Sequence, residues 1–282
     1  MHTLRRLDDE VGPKQLVGAV TNHLRWVTDR LAEAERRGTT FTALCGVAAE
    51  LSQLAGWLSF DMSLTDEARR HLKAAHQAAM IAGDVTLAAY ALGWTSIVAG
   101  QHDASAGLAL ARAAQHRSGI DAAPSVTAWL TRVEAEALAA TGDRAGSEEA
   151  LERVQVAAAR PRSERDPSWT YFISDGQIAA YRGVCYVRLG QGRQAEVALR
   201  EALAVLQPSF TRDRCLYMTY LAAAHLQQGQ PDLAASVALS ALGLAVETGS
   251  PRSIQRLQDV RRGLDRWDHL PGVMELHELL LA

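Results

Sequence analysis

Three small residues in the second half of the chain have the spacing of a nucleotide-binding turn. Gly190, Gly192 and Ala195 form a G-x-G-x-x-A run, in which glycines let the backbone approach a pyrophosphate at the start of a helix. Such a turn must follow a β-strand. However, the chain is rich in Ala, Leu, Arg and Glu, and no long Val-, Ile- or Thr-rich run alternates with a period of two. The run can equally be the turn of a helix–turn–helix repeat, which predicts copies elsewhere.

Copies of the pattern are present along the chain. An Ala-rich segment ends at Gly142, Gly190 or Gly229, and a second such segment begins a few residues later. Weaker copies surround Gly100 and Ser63. A glycine at the end of a helix supplies the left-handed residue, and small residues early in the next helix let two antiparallel helices approach closely. We therefore expect five helix pairs and interpret the G-x-G-x-x-A run as a turn.

Polar residues with the spacing of a metal or catalytic site are few. Glu67 and His71 are four residues apart on one helix face, but an ion pair on a solvated helix explains them better than a shared metal. His225 lies in an Ala-rich segment and is interpreted as a packed or groove-facing side chain. The arginines of RPRSERDPSWT alternate with acidic residues, which favours a solvated loop over a phosphate site. We expect no enzymatic activity, no metal and no cofactor.

Composition and charge point to a folded cytoplasmic protein. The 282 residues are 48% hydrophobic and carry a formal net charge of −3, which gives no general attraction to nucleic acid or anionic lipid. The sequence has no signal-peptide pattern, and we count no apolar stretch long enough for a membrane helix. Cys45, Cys185 and Cys215 are odd in number and far apart, so we interpret them as small apolar residues of helices.

The elements that position these residues form an all-α fold. We predict an α-solenoid of about five helix pairs, preceded by an opening helix and followed by closing helices. The opening or linker helix occupies residues 1–40, with Pro13 near its first turn and RRGTT at its end. The repeat array covers 41–249 and has a loop, a candidate hinge, near 158–170. Capping helices fill 250–282.

The fourth copy resembles the tetratricopeptide repeat most closely. The positions that carry the resemblance are Gly183, Tyr186, Gly190, Ala195, Leu199 and Ala202. The segments LSQLAGWLSFDMSLTDEARRHLKAAHQAAMIAGD and RLQDVRRGLDRWDHLPGVMELHELL are also similar to the C-terminal region of actinobacterial XRE-type transcriptional regulators. In those regulators a helix-turn-helix domain precedes the repeats, and RRLDDEVGPKQL resembles the linker that follows it. Only four residues lie ahead of Arg5, so we expect no direct nucleic-acid binding by this chain.

One predicted face of the array has the composition of a binding surface. In tetratricopeptide arrays the first helix of each pair lines the concave side, and helical spacing back from each turn residue marks that side. Large aromatic residues beside a few charges are typical of peptide or small-molecule sites. The candidate ligand- or partner-binding residues on this face are Gln53, Trp57, Tyr90, Trp94, Trp129, Arg132, Glu136 and Arg188. Packing of the tryptophans in the core is the alternative.

The resemblance implies a ligand- or peptide-responsive regulatory module whose partner is a peptide, a protein or a small-molecule effector. A constitutive protein–protein scaffold or adaptor is the first alternative, and an accessory protein or enzyme of a biosynthetic pathway is the second. We also expect a possible homodimer, because the opening helix carries an apolar stripe at helical spacing. The stripe consists of Leu16, Val20, Leu24, Val27 and Leu31.

Overall fold

The computed structural model describes residues 2–36, 38–119 and 121–281, and the regular elements within these ranges are all helical. The α-helices in chain order are α1 (His2–Val11), α2 (Pro13–Glu33), α3 (Thr39–Asp61), α4 (Thr65–Ala82), α5 (Val85–Ala99), α6 (Ala104–Ser118), α7 (Pro124–Ala140), α8 (Arg144–Ala158), α9 (Asp175–Arg188), α10 (Gly192–Val205), α11 (Thr211–Gln227), α12 (Pro231–Thr248), α13 (Pro251–Leu264) and α14 (Pro271–Leu281). Two 3₁₀ turns lie at Ser168–Thr170 and Asp265–Trp267. The predicted all-α fold class is confirmed.

The helix pairs α3–α4, α5–α6, α7–α8, α9–α10 and α11–α12 meet at the five turns predicted from the sequence. Gly142, Gly190 and Gly229 have φ of 81°, 72° and 69°, the left-handed conformation that glycine adopts without strain. Ser63 occupies the equivalent position in the first pair with φ of 61°. The G-x-G-x-x-A run is therefore a turn between two helices.

The turn at Gly100 differs from the prediction, because this glycine has φ of −63° and stays in the right-handed region. Its role is close contact between α5 and α6. A Cβ atom on Gly107 would lie 2.9 Å from the Gly100 Cα, and the Ser96 hydroxyl donates a 2.7 Å hydrogen bond to the Gly107 carbonyl. Two facing glycines thus bring the backbones of this pair together.

Within other pairs a glycine of the first helix faces a leucine of the second. A Cβ atom on Gly56 would lie 2.7 Å from Leu72 Cγ, and one on Gly183 would lie 2.5 Å from Leu199 Cγ. Both leucines are fully buried. The missing side chain makes room for the leucine, which explains why a small residue recurs in the first helix of the pattern.

The chain divides into two compact units, residues 1–171 and 172–282. In the first unit, the segment predicted as one opening helix is two helices, α1 and α2, which Gly12 separates. Leu16, Val20 and Val27 of α2 pack against α3 and are buried. This apolar stripe is used within the chain, so it does not support the expected homodimer. Arg37, in the stretch predicted to end the opening helix, lies outside the described residues.

The second unit ends as the sequence predicts, with helices that cover the last helix pair. The Ser250 side chain accepts a hydrogen bond from the Ser253 backbone N–H, and Pro251 follows as the first residue of α13. Leu257 of α13 and Leu276 of α14 are buried in a common core with alanines of α12. This packing removes the apolar side of α12 from water.

Among the described helices, α3 alone is long and apolar enough to cross a membrane by length and composition, with a mean hydropathy of 1.2 over its most apolar window. The expectation that no apolar stretch reaches this length therefore does not hold for α3. Within the protein, 56% of that window is buried. Cys45 of α3, Cys185 of α9 and Cys215 of α11 are buried, in agreement with their interpretation as helix residues.

Candidate functional site

Four aromatic rings from α3, α5 and α7 meet in the first unit, and we call the surface formed by Trp57, Tyr90, Trp94 and Trp129 the aromatic face. Ring centroids are 4.7 Å apart for Trp57 and Trp94, 5.5 Å for Trp94 and Trp129, and 4.5 Å for Tyr90 and Trp129. Positions on one side of successive first helices thus bring these side chains into one contiguous cluster.

The exposure of the aromatic face differs from the expectation. Trp57 and Trp94 are half-buried, but Tyr90 is only 3% exposed and Trp129 only 1%. Trp129 lies against Gly93, where a Cβ atom would be 2.8 Å from the Trp129 Cη2 atom. For Trp129 the alternative, packing in the core, therefore applies.

Helix α1 contacts the aromatic face through polar side chains. The Arg5 guanidinium donates a 2.5 Å hydrogen bond from Nη1 to Gln53 Oε1, and its centre lies 5.9 Å from the centroid of the Tyr90 ring. The Trp57 indole N–H donates a 2.8 Å hydrogen bond to Asp8 Oδ2. Gln53 and Trp57, two of the candidate binding residues, are therefore already engaged by the chain itself.

The end of the loop near 158–170 also covers the face, although the sequence predicted a solvated loop. Trp169 stacks on Tyr90 with ring centroids 3.8 Å apart and an interplanar angle of 22°. The Tyr171 hydroxyl donates a hydrogen bond to Asp9 Oδ2, and the Arg5 carbonyl oxygen lies 3.3 Å from the same hydroxyl oxygen. Burial and the nearby Asp9 carboxylate raise the pKa of Tyr171, so this hydroxyl remains a donor.

The same loop is tied to α7 by a carboxylate. Asp166 Oδ1 accepts hydrogen bonds from the backbone N–H of Ser125, at 3.0 Å, and from its hydroxyl, while Oδ2 accepts one from the Ser163 N–H at 2.6 Å. Arg160, Arg162 and Arg165 remain exposed, as predicted for a solvated segment. The loop is thus solvated in its first half and packed in its second.

Two charged candidates form an ion pair within α7. Arg132 Nη1 lies 3.1 Å from Glu136 Oε2, and both side chains are mostly buried. Burial raises the pKa of Tyr90, and the Arg5 and Arg132 cations oppose that rise, which places Arg132 beside the aromatic face. An anionic group that binds Arg132 has to compete with Glu136.

The eighth candidate, Arg188, is the last residue of α9 and belongs to the second unit, where it is half-buried. The corresponding positions of that unit carry no aromatic residue. Gln177 donates a 2.6 Å hydrogen bond to Asp213 Oδ2 and accepts one from the Tyr217 hydroxyl. The structure therefore gathers seven of the eight candidates in the first unit, while Arg188 lies in the other.

Several side chains at the face were missed by the sequence analysis, namely Arg5, Asp8, Asp9, Trp169 and Tyr171. The loop residues have no periodic neighbours, so no pattern indicates that they fold back. The one available signal was the charge pattern of RRLDDE, where basic and acidic residues three or four apart share one side of a helix.

Comparison with known proteins assigns this chain to no family. Within the described residues, no three His, Cys, Asp or Glu side chains are grouped closely enough to hold a metal ion. No family model matches the sequence, and no curated protein is significantly similar to it. What the protein does is therefore inferred from the chemistry of the aromatic face.

Proposed function

We propose that this protein is a regulatory protein-interaction module that binds its effector or partner at the aromatic face. The observation that carries the proposal is the cluster of four aromatic rings, of which Trp57 and Trp94 remain partly exposed. Aromatic side chains supply most of the binding energy in protein interfaces, and neighbouring charges give orientation. The Arg132–Glu136 pair and Gln53 provide such polar groups beside the rings.

The position of α1 supports a regulatory role over a constitutive scaffold. A scaffold works best with an open surface, whereas Arg5 and Asp8 of α1 contact this one. A ligand that binds the aromatic face competes with α1 and changes where that helix lies. In the XRE-type regulators that the sequence resembles, the corresponding segment follows the DNA-binding domain. Displacement of this helix is thus a direct way to pass a signal, and we place the protein among non-enzymatic cytoplasmic regulators.

Site-specific photo-cross-linking in the native host tests the proposal. A benzophenone amino acid replaces Trp94 in one version of the full chain and Val156, an exposed residue of α8, in the control. We expect a specific adduct at position 94 and none at 156. The purified partner should then bind Trp94→Ala more weakly than the parent by about 2 kcal/mol, as for a central aromatic anchor, and Val156→Ala unchanged. No adduct at 94, or the same adduct at both positions, contradicts the proposed function.

A further inference from the structure

Helix α1 is held in place mainly by polar side chains. Arg5 and Asp8 are 6% and 3% exposed, whereas Leu7 is 37% exposed and Leu4 only partly buried against α2 and α3. Burial of apolar surface is the main source of stability in folded proteins, and the described side chains of α1 contribute little of it. Segments with few buried apolar contacts open at low free-energy cost.

The buried guanidinium of Arg5 is incompletely paired in this docked position. Its Nε and Nη2 atoms form no hydrogen bond with any described residue, and Nη2 lies 3.9 Å from the carboxylate oxygen Glu50 Oε2. Moving a cation out of water without full pairing opposes docking. Burial of the Arg5 guanidinium therefore positions α1 and at the same time lowers the stability of its docked position.

Along the chain, a single residue links α1 to α2. Gly12 separates α1 from α2 and has φ of 78° and ψ of 172°, a conformation that other residues rarely adopt. Because α2 is fixed on α3 by Leu16 and Val20, rotation at Gly12 moves α1 and leaves the α2–α3 packing intact. Displacement of α1 therefore requires a backbone rotation at Gly12.

The bound α1 shows which chemistry the aromatic face accepts. A basic side chain fits between Gln53 and the Tyr90 ring, and an acidic side chain receives the Trp57 N–H. On α1 these groups are three residues apart, which is close to one helical turn. We propose that α1 is a displaceable occupant of the aromatic face and that the partner is a helix carrying Arg and Asp in an R-x-x-D spacing. This inference rests on the proposed function and names the class of its partner.

A peptide with the sequence of α1 tests the inference directly. Fluorescein-labelled HTLRRLDDEVG, residues 2–12, is titrated with the full-length parent and with the full-length double variant Arg5→Ala/Asp8→Ala, and its anisotropy is measured. The parent should bind it weakly, because its own α1 competes at an effective concentration in the millimolar range. The double variant should bind it at least roughly tenfold more tightly, because its own helix no longer holds the site.

Three controls make the test specific. Thr3→Ala, at an exposed position of α1, should behave like the parent. A peptide in which the equivalents of Arg5 and Asp8 are alanine should bind neither protein. Trp57→Phe in the double variant should weaken peptide binding, because it removes the N–H that receives the aspartate. Thermal melts of all variants report whether the fold is kept.

A double variant that melts like the parent yet binds the peptide no more tightly overturns the inference, and so does equal binding of the alanine peptide. A parent dimer that dissociates on Arg5→Ala/Asp8→Ala also overturns it, because α1 would then occupy the face of a second copy. Cross-linking at position 94 without peptide binding contradicts the helical R-x-x-D partner but not the proposed function. Peptide binding without a cross-linked partner contradicts the proposed function but not the docking of α1 on the aromatic face.

Discussion

At the scale of single residues, the absent side chain of Gly93 is what allows Trp129 to enter the core. The ring lies where a Cβ atom of residue 93 would point, and Leu130 Cδ2 is also only 3.3 Å from that position. The tryptophan is enclosed, so it has little room to move away. The packing of the aromatic face therefore depends on a residue that has no side chain of its own.

Gly93→Ala should lower the free energy of unfolding by about 1–3 kcal/mol, because the added methyl group overpacks a closed core. Gly18→Ala in α2 is the matched control, since no described atom lies within 4 Å of a Cβ at that position. There alanine should raise the free energy of unfolding by about 0.5–1 kcal/mol through helix propensity. Urea denaturation measures both, and equal effects of the two substitutions contradict the packing described for Trp129.

Asp166 gives the loop a dependence on pH. Burial raises the pKa of this carboxyl, but the hydrogen bonds from Ser125 and Ser163 together outweigh burial and lower it. A carboxyl with a lower pKa in the folded chain stabilises the fold above its unfolded pKa of about 4 and loses that effect as pH falls through the folded value. Asp166→Asn should therefore destabilise the protein near neutral pH, and the difference from the parent should shrink below about pH 4.

Urea denaturation of the parent and Asp166→Asn at several pH values measures this difference. Ser125→Ala, which removes one of the donors, should reduce the pH dependence of the parent in the same range. A gap between parent and Asp166→Asn that stays constant from pH 7 to about pH 3 would show that the carboxylate is not held by these hydrogen bonds.

The sequence predicted which aromatic residues share a face but not how deeply they lie. Trp57 and Trp94 lie six residues before a turn residue and Trp129 lies thirteen before one, and helical geometry puts these steps on one side of a helix. Burial of Trp129 depends on Gly93, and burial of Tyr90 depends on Trp169, far along the chain. Contacts of this kind come from tertiary packing, which periodicity does not encode.

At the scale of elements, the left-handed turn glycines define where each helix pair changes direction. Gly190→Ala should lower the free energy of unfolding by about 1–2 kcal/mol, because φ of 72° brings a Cβ atom too close to the following carbonyl oxygen. Gly243→Ala in α12 is the control, since a Cβ there would have no described neighbour within 4 Å. It should be neutral or stabilising. Calorimetric melts compare the two, and a Gly190→Ala protein as stable as the parent contradicts the role of the turn.

The helix pairs were predictable because apolar periodicity and turn glycines are local signals. Helix α1 was not recognised as a separate element, because its ten residues include only three apolar ones, Leu4, Leu7 and Val11. Its position depends on pairs such as Trp57–Asp8 that are distant in sequence. At Gly100 the turn was predicted correctly, but its left-handed conformation was not. There the glycine is needed for the close contact with Gly107 and not for a positive φ.

At the scale of the whole molecule, charge argues against DNA recognition by this chain. Acidic residues outnumber basic ones, 32 to 29, and sequence-specific binding depends strongly on attraction to phosphates. We expect gel-shift titrations at moderate salt to show no sequence-specific complex. A complex that forms on one operator sequence, survives added salt and is absent on scrambled DNA contradicts this expectation.

The central claim is that α1 covers the aromatic face and can leave it. Hydrogen exchange of the full-length protein, followed by mass spectrometry, measures this without any partner. Amides of α1 should exchange faster than those of α5, and Arg5→Ala/Asp8→Ala should speed exchange in α1 by roughly tenfold or more, because each lost hydrogen bond to a charged group is worth about 1.5–3 kcal/mol. Exchange within α12 should stay unchanged. Protection of α1 equal to that of α5, unaltered by the double substitution, would contradict the account.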